Sequence, residues 1–222
     1  MELQGAFSLI IKVMKNNYDR VAGFYDGLSK LVFGNALTGA QRSVLHFIPE
    51  RANILIAGGG TGAILEEISR IRPHNIDITY IEISEKMLEM ARKRDVGKNN
   101  VRFVHAAVES FQPAHQFDVI ITSFLFDNFQ QDKAEVIFQN LHNVLNSTGI
   151  WLFTDFNVEE KPGKFWQKWL LKSMYMFFGI LSEVEAKELP NTAMLFSKAG
   201  FKTIFQRSFY SGFINSLVYQ KP

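Results

Sequence analysis

The sequence predicts an α/β domain built on a mainly parallel sheet, and three observations predict it. Residues 54–57 form a short apolar run that meets a glycine cluster, Gly58-Gly59-Gly60-Thr61-Gly62, followed by a helix-like stretch to Ile68 and a second run at 80–84. Further strand-like runs follow at 101–111, 117–122, 149–154, 202–209 and 215–220, with helical patterns among them; short apolar runs of this kind suit strands buried on both faces. Composition agrees, because 47% of the 222 residues are hydrophobic and 21% charged, enough for a full core in one soluble domain.

About fifty residues precede the glycine cluster and read as helices; they carry Tyr-Asp at 18–19 and again at 25–26 and lead into an amphipathic segment at 40–47. Glycines at 58, 60 and 62 let the backbone turn tightly and approach a ligand that a Cβ would exclude. Glu82 lies ~20 residues beyond them at the end of the second strand, where a carboxylate can accept hydrogen bonds from two ribose hydroxyls. Together these residues read as a nucleotide-cofactor site. On strand three, His105 reads as a strand residue without chemistry and Glu109 as a solvated or helix-capping carboxylate. The segment 122–132 follows strand four, where the carboxyl ends of parallel strands meet substrate, and is the best candidate for the active-site segment. Within it, Asp127 and Asn128 are the candidate catalytic residues, able to orient an acceptor hydroxyl or take up a proton; the alternative is that they cap a helix over 131–145.

Residues 161–181 form an insertion with an unusually aromatic helix. Lys164, Lys168 and Lys172 recur at intervals of four, giving one basic stripe, while Phe165, Trp166, Trp169, Leu170, Met174, Phe177 and Phe178 cover much of the rest. Three readings stand open for residues 164–181: a lid over a bulky apolar acceptor, using Trp166, Trp169 and Tyr175; a helix lying on an anionic membrane; or packing against the domain and a homodimer mate. The chain then runs through Leu195-Phe-Ser-Lys-Ala-Gly-Phe201 into its two final strand-like runs.

The glycine loop, Glu82, Phe117-Asp118 and Ala199-Gly200-Phe201 together resemble the class I S-adenosylmethionine-dependent methyltransferase superfamily. That resemblance implies a Rossmann-like seven-stranded sheet, mostly parallel with a reversed last strand, and helices on both faces. It also implies S-adenosyl-L-methionine as cofactor, with Gly58, Gly60, Thr61 and Gly62 at its methionine part and Glu82 at the ribose. Ile83 and Met87 are then expected to flank the adenine, with Ala107, Val108, Ser123 and Phe124 completing the cofactor set, and 124–129 bordering the reaction centre. Val21, Ala22, Tyr25 and Asp26 match a helix that folds over the cofactor in the ubiquinone and menaquinone biosynthesis C-methyltransferases, so Tyr25 joins the expected cofactor contacts. Two departures stand out. Ala107 replaces an Asp that accepts from the adenine amino group in many members, and Asp127 stands where the quinone enzymes have Arg, while Asn128 aligns with their Asn. The implied organisation is a single domain: an N-terminal helical lid at 1–50, a cofactor-binding core at 51–155, a helical insertion at 156–192 and a strand pair at 193–222.

The chain contains no cysteine, which excludes disulfides, thiol nucleophiles and Cys-type zinc. Its net charge of +2 and lack of a long basic run give no sign of a nucleic-acid partner. The stretch from Ala6 to Met14 is interrupted by Lys12 and makes a poor secretion signal, so the expected location is the cytoplasm. The expected function is transfer of a methyl group to a small or lipid-like apolar acceptor. An NAD-dependent oxidoreductase is disfavoured by the position of the glycine turn and by the absence of any Tyr-x-x-x-Lys pair; a non-catalytic cofactor-binding module is the other alternative.

Overall fold

A computed structural model describes residues 27, 30, 32–158, 164–182 and 188–222, and of residues 175–182 the backbone alone. Tyr18, Val21, Ala22, Tyr25, Asp26 and the side chain of Tyr175 lie outside the described residues.

Helix α1 spans Ala36–Leu45, β1 Asn53–Ala57, α2 Ala63–Ile71, β2 His74–Glu82, α3 Glu85–Ala91 and β3 Lys98–His105. They are followed by β4 Phe117–Ser123, α4 Gln131–Val144, β5 Leu145–Phe156, α5 Phe165–Ser182, α6 Thr192–Lys198, β6 Lys202–Phe209 and β7 Ile214–Gln220. The seven strands form one sheet in the order β3-β2-β1-β4-β5-β7-β6. β7 runs antiparallel to both its neighbours and the other pairings are parallel. The order reverses at β1, which pairs with β2 on one side and β4 on the other, and a crevice at such a switch point lies beyond the carboxyl ends of the strands.

Alternation along the strands divides the core into two layers. Ile54 and Ile56 of β1 pack with Val44 and Leu45 of α1, Ile64, Leu65 and Ile68 of α2, and Leu88 and Ala91 of α3. Leu55 and Ala57 face the other way and join Ala134, Ile137, Phe138 and Leu141 of α4 and Leu195 and Phe196 of α6. Helices therefore cover both faces. The second layer is aromatic: Trp151 stacks on Phe138 at 5.3 Å and meets Phe196 edge-on at 5.0 Å, with its indole N–H donating to Thr122 Oγ1 at 2.9 Å. Burying the indole without that acceptor would leave an unpaired donor inside the sheet.

Several boundaries differ from the sequence reading. β3 ends at His105 and the chain turns through a 3₁₀ helix at Val108–Ser110, because Ser110 N–H donates back to Ala107 O at 3.2 Å, outside the strand ladder. α1 begins four residues before the predicted amphipathic segment. It packs against β5, β6, β7 and α2, held by Ser216 Oγ–H donating to Ala40 O at 2.9 Å and by the Arg42 guanidinium on both oxygens of Glu67. Lys164 lies just outside α5, where its ammonium reaches Ser211 O.

Candidate functional site

At the carboxyl end of β1 the amides of Gly58 and Gly59 donate to Ile81 O at 3.0 and 3.2 Å, so the turn folds onto the end of β2. Gly58, Gly60 and Gly62 have φ of 67°, 64° and 82°, in the left-handed region where a side chain is strained. The glycines divide by what surrounds them. A Cβ on Gly59 would sit 2.1 Å from Tyr80 Cζ, and one on Gly62 2.7 Å from the Ala91 backbone, so both serve close packing. A Cβ on Gly60 would meet nothing within 4 Å, so Gly60 faces open space.

Glu82 locks this turn to the strand. Its Oε2 accepts from Gly60 N–H and its Oε1 from Ser84 N–H, both at 2.8 Å, although the residue is only 5% exposed. Burial raises its pKa, opposed by hydrogen bonds from the Ser84, Gly60 and Ile83 amides and by the charge of His105. A carboxylate offers about four lone-pair sites, so hydroxyl donors can still be accepted beside these amides. Tyr80 and Arg94 complete the frame: Tyr80 O–H donates to Gly60 O at 2.9 Å and Arg94 Nε–H to Thr61 O at 3.0 Å. Neither was singled out from sequence, since a buried strand tyrosine and a helix-flanking arginine carry no motif.

The other expected cofactor residues gather around this frame. Ile83 is 41% exposed beside Glu82, and Ser84 caps α3 by accepting from Met87 N–H at 3.2 Å, which holds Met87 buried. Ala106 N–H donates to Glu82 O at 3.2 Å and brings half-buried Ala107 and buried Val108 to the same edge. Ser123 ends β4; next to it Phe124 has φ 54°, uncommon for a bulky residue, and its amide donates to Thr154 O at 2.8 Å. This turns Leu125 over the glycine loop, where a Cβ on Gly58 would meet Leu125 Cδ1 at 2.7 Å. His105 Nε2 lies 2.8 Å from Ile83 O, and Glu109, partly open to solvent, pairs with Lys133 at 3.1 Å.

Asp127 does not cap α4. The N-cap position is Gln130, and Asp127 sits in a 3₁₀ turn, Phe126–Asn128, buried beside Asp155 of β5. Asp155 Oδ2 accepts from Phe126 N–H at 3.1 Å and Oδ1 from Phe156 N–H at 2.8 Å, which ties the turn to the end of β5. Burial pushes the Asp127 carboxyl up to about 7, and burial together with the Asp127 charge raises Asp155 well above the usual range, so the two titrate as a pair. Asn128 Nδ2–H donates to Phe124 O, Leu125 O and Asp127 Oδ1 at 3.0, 3.1 and 3.0 Å. Asp155 was missed because one acid at a strand end carries no motif; only the fold brings it to Asp127.

The same edge is lined by rings. Phe124 lies 4.9 Å from Phe156, which meets Phe213 at 5.1 Å and Phe33 at 5.6 Å. Trp166 packs on Tyr210 and Phe213 at 5.7 and 5.8 Å, whereas Trp169 is 72% exposed. Tyr210 O–H donates to Val32 O at 3.0 Å, and His142 lies on α4 beside Lys221, at the opposite, amino end of the strands.

Sheet order, glycine turn and acidic strand end define a class I methyltransferase fold. Residues 54–149 match the family described as "Methyltransferase domain". The chain is 32% identical over 104 residues to malonyl-[acyl-carrier protein] O-methyltransferase 2 of Ilyobacter polytropus, across 47% of this chain and 39% of that protein. It is 28% identical over 214 residues to the demethylmenaquinone methyltransferase of Thermotoga maritima, across 87% of this chain and 90% of that one. The chain spans 39%, 52% and 59% of the length of the first three curated relatives it matches. Among solved structures, a Burkholderia thailandensis 1,6-didemethyltoxoflavin-N1-methyltransferase with bound S-adenosylhomocysteine shares the fold. Its TM-score is 0.63 at 16% identity, over 92% of this chain and 86% of that one. Residues 54–149 thus match a methyltransferase domain, set on the seven-stranded sheet described above.

Proposed function

We propose that the protein is a cytoplasmic enzyme that transfers the methyl group of S-adenosyl-L-methionine to a small or lipid-like apolar acceptor. The observation that carries this reading is the glycine turn clamped by Glu82, with Gly60 facing open space, set beside an edge of packed aromatic rings. The residues present fit the cofactor. The start of α2, which has no side-chain cap, and the open side of Gly60 suit the methionine carboxylate. The remaining lone pairs of Glu82 suit ribose hydroxyls, and exposed Ile83, with Met87, Ala107 and Val108 behind it, suits one face of the adenine.

When bound, the cofactor supplies a sulfonium-activated methyl group. The chain's own part is to position the acceptor and exclude water. Phe124 and Phe156, half-buried and backed by the buried rings of Phe213 and Phe33, offer an apolar aromatic surface for the acceptor, and a dry site favours a step in which charge is dispersed. Asp127, with a carboxyl near neutrality, is the group suited to take a proton from an acceptor hydroxyl or acidic carbon, and Asn128 and Asp155 hold the turn that carries it. Trp166 adds to the apolar wall.

The test is thermal unfolding and calorimetric titration with S-adenosylmethionine, S-adenosylhomocysteine and NADH, followed by a panel of apolar acceptors. Stabilisation by the two sulfur cofactors alone is expected, and stabilisation by NADH alone would refute the reading. Glu82→Ala is expected to weaken S-adenosylmethionine about ten- to a hundredfold, the loss of charge-assisted hydrogen bonds worth ~1.5 to 3 kcal/mol; unchanged affinity would refute the ribose assignment.

A further inference from the structure

The start of α5 carries a stripe that the described residues leave exposed. Gln167 and Leu171 point inward: Gln167 is fully buried with its Nε2–H donating to Ser211 O at 3.1 Å, and Leu171 packs with Phe33, Phe213 and Ile214. Phe165, Lys168, Trp169 and Lys172 lie at i, i+3, i+4 and i+7 and share the opposite face. Phe165 and Trp169 are each 72% exposed and Trp166 is 37% exposed. Large aromatics one helical turn apart and open to water are a costly surface for an isolated domain, and such patches mark interaction sites.

The chemistry of the stripe selects its partner. α5 contains no Asp or Glu, Lys168 and Lys172 are exposed, and Lys172 Nζ stands 6.0 Å from the centroid of the Trp169 ring. Basic groups interleaved with Trp and Phe match a surface that is anionic outside and apolar just beneath. The rings settle at headgroup depth while the lysine stems lie along them and direct their charges to phosphates. A second copy of the chain fits less well, because a two-fold contact through this stripe would set lysines against lysines. No helix among the described residues is long and apolar enough to cross a membrane, so the contact is with its face.

We infer that the Phe165–Lys172 stripe docks the protein on an anionic membrane surface. The stripe joins the site through Trp166, which packs on Tyr210 and Phe213, and Phe213 on Phe156. If the proposed methyl transfer holds, an acceptor dissolved in the bilayer therefore reaches the aromatic edge without crossing water. Docking itself does not depend on that transfer.

Flotation of the full chain with vesicles of phosphatidylcholine alone, and of phosphatidylcholine with an equal share of phosphatidylglycerol, tests the inference without any turnover. The protein is expected to float with the anionic vesicles only, and less as salt rises. Lys168→Gln and Lys172→Gln are each expected to cut partitioning about fivefold, and Phe165→Ser with Trp169→Ser to abolish it, circular dichroism confirming that every variant is folded. No flotation, equal flotation with neutral vesicles, or flotation unchanged in these folded variants would overturn it. So would a dimer that the aromatic variant dissolves while the parent ignores vesicles.

Discussion

Neighbouring glycines in the turn after β1 answer to different constraints, and substitutions separate them. Gly59→Ala drives a methyl into the Tyr80 ring, a fully buried group that cannot move aside, so it is expected to lower stability by about 1–3 kcal/mol in chemical denaturation. Gly60→Ala meets no protein atom and carries only the strain of φ 64°, about 1–2 kcal/mol, but its methyl enters the space proposed for the cofactor. It is therefore expected to lose most S-adenosylmethionine binding by calorimetry. The Asp127 and Asp155 pair gives a third outcome at this scale. The ordinary value for Asp127 is 3.8 and the folded one about 7, so between these the folded state holds more protons than the unfolded state. Stability is then expected to fall as pH rises through that window, from about pH 4 to beyond 7, and Asp127→Asn is expected to flatten the fall in denaturant melts. The glycines and Glu82 were legible because backbone geometry demands particular residues at fixed spacing. Asp155, Tyr80 and Arg94 were not, because their partners lie 20 or more positions away and only the folded sheet brings them close.

Among the elements, α1 and α2 are tied through one carboxylate. Glu67 of α2 is buried and accepts the Arg42 guanidinium of α1 at 2.6 and 2.9 Å, while Arg70 of its own helix reaches the same group. The Arg42 hydrogen bond, helped by both positive charges, outweighs burial and lowers the Glu67 pKa. The stabilisation is therefore full above the usual carboxylate range and lost as pH falls through the lowered value. Glu67→Gln is expected to destabilise the protein at neutral pH and to converge with the parent as acid protonates Glu67, checked by thermal melts across pH. Element types were largely readable from apolar periodicity, as the runs at 54–57 and 117–122 show against Asn53–Ala57 and Phe117–Ser123. The errors fell at ends. β3 stops at His105 because a carbonyl–amide turn at Ala107 takes over, and α4 has no Asx cap because Asp127 turns inward to Asp155.

At the scale of the molecule, the proposed cofactor would couple to the fold through the switch point between β1 and β4. A ligand held there at ~100 times its dissociation constant adds ~2.7 kcal/mol to the folded state. For a chain of this size that should raise the unfolding midpoint by roughly 5 to 10 °C, the magnitude against which the cofactor titration is judged. The sheet order itself was carried by resemblance; periodicity identifies strands but not their neighbours, since nothing local tells Ile214–Gln220 to lie between β5 and β6. That placement has a consequence during synthesis. β5 presents its edge to β7, and β6 has β7 as its partner, so neither ladder can form until residues 214–220 have been made. While the chain emerges, the amides of β5 and β6 that face β7 in the finished sheet wait unpaired. The nascent chain thus passes through an interval when two open strand edges are available to the wrong partner, and the speed with which residues 210–220 follow sets how long that hazard lasts.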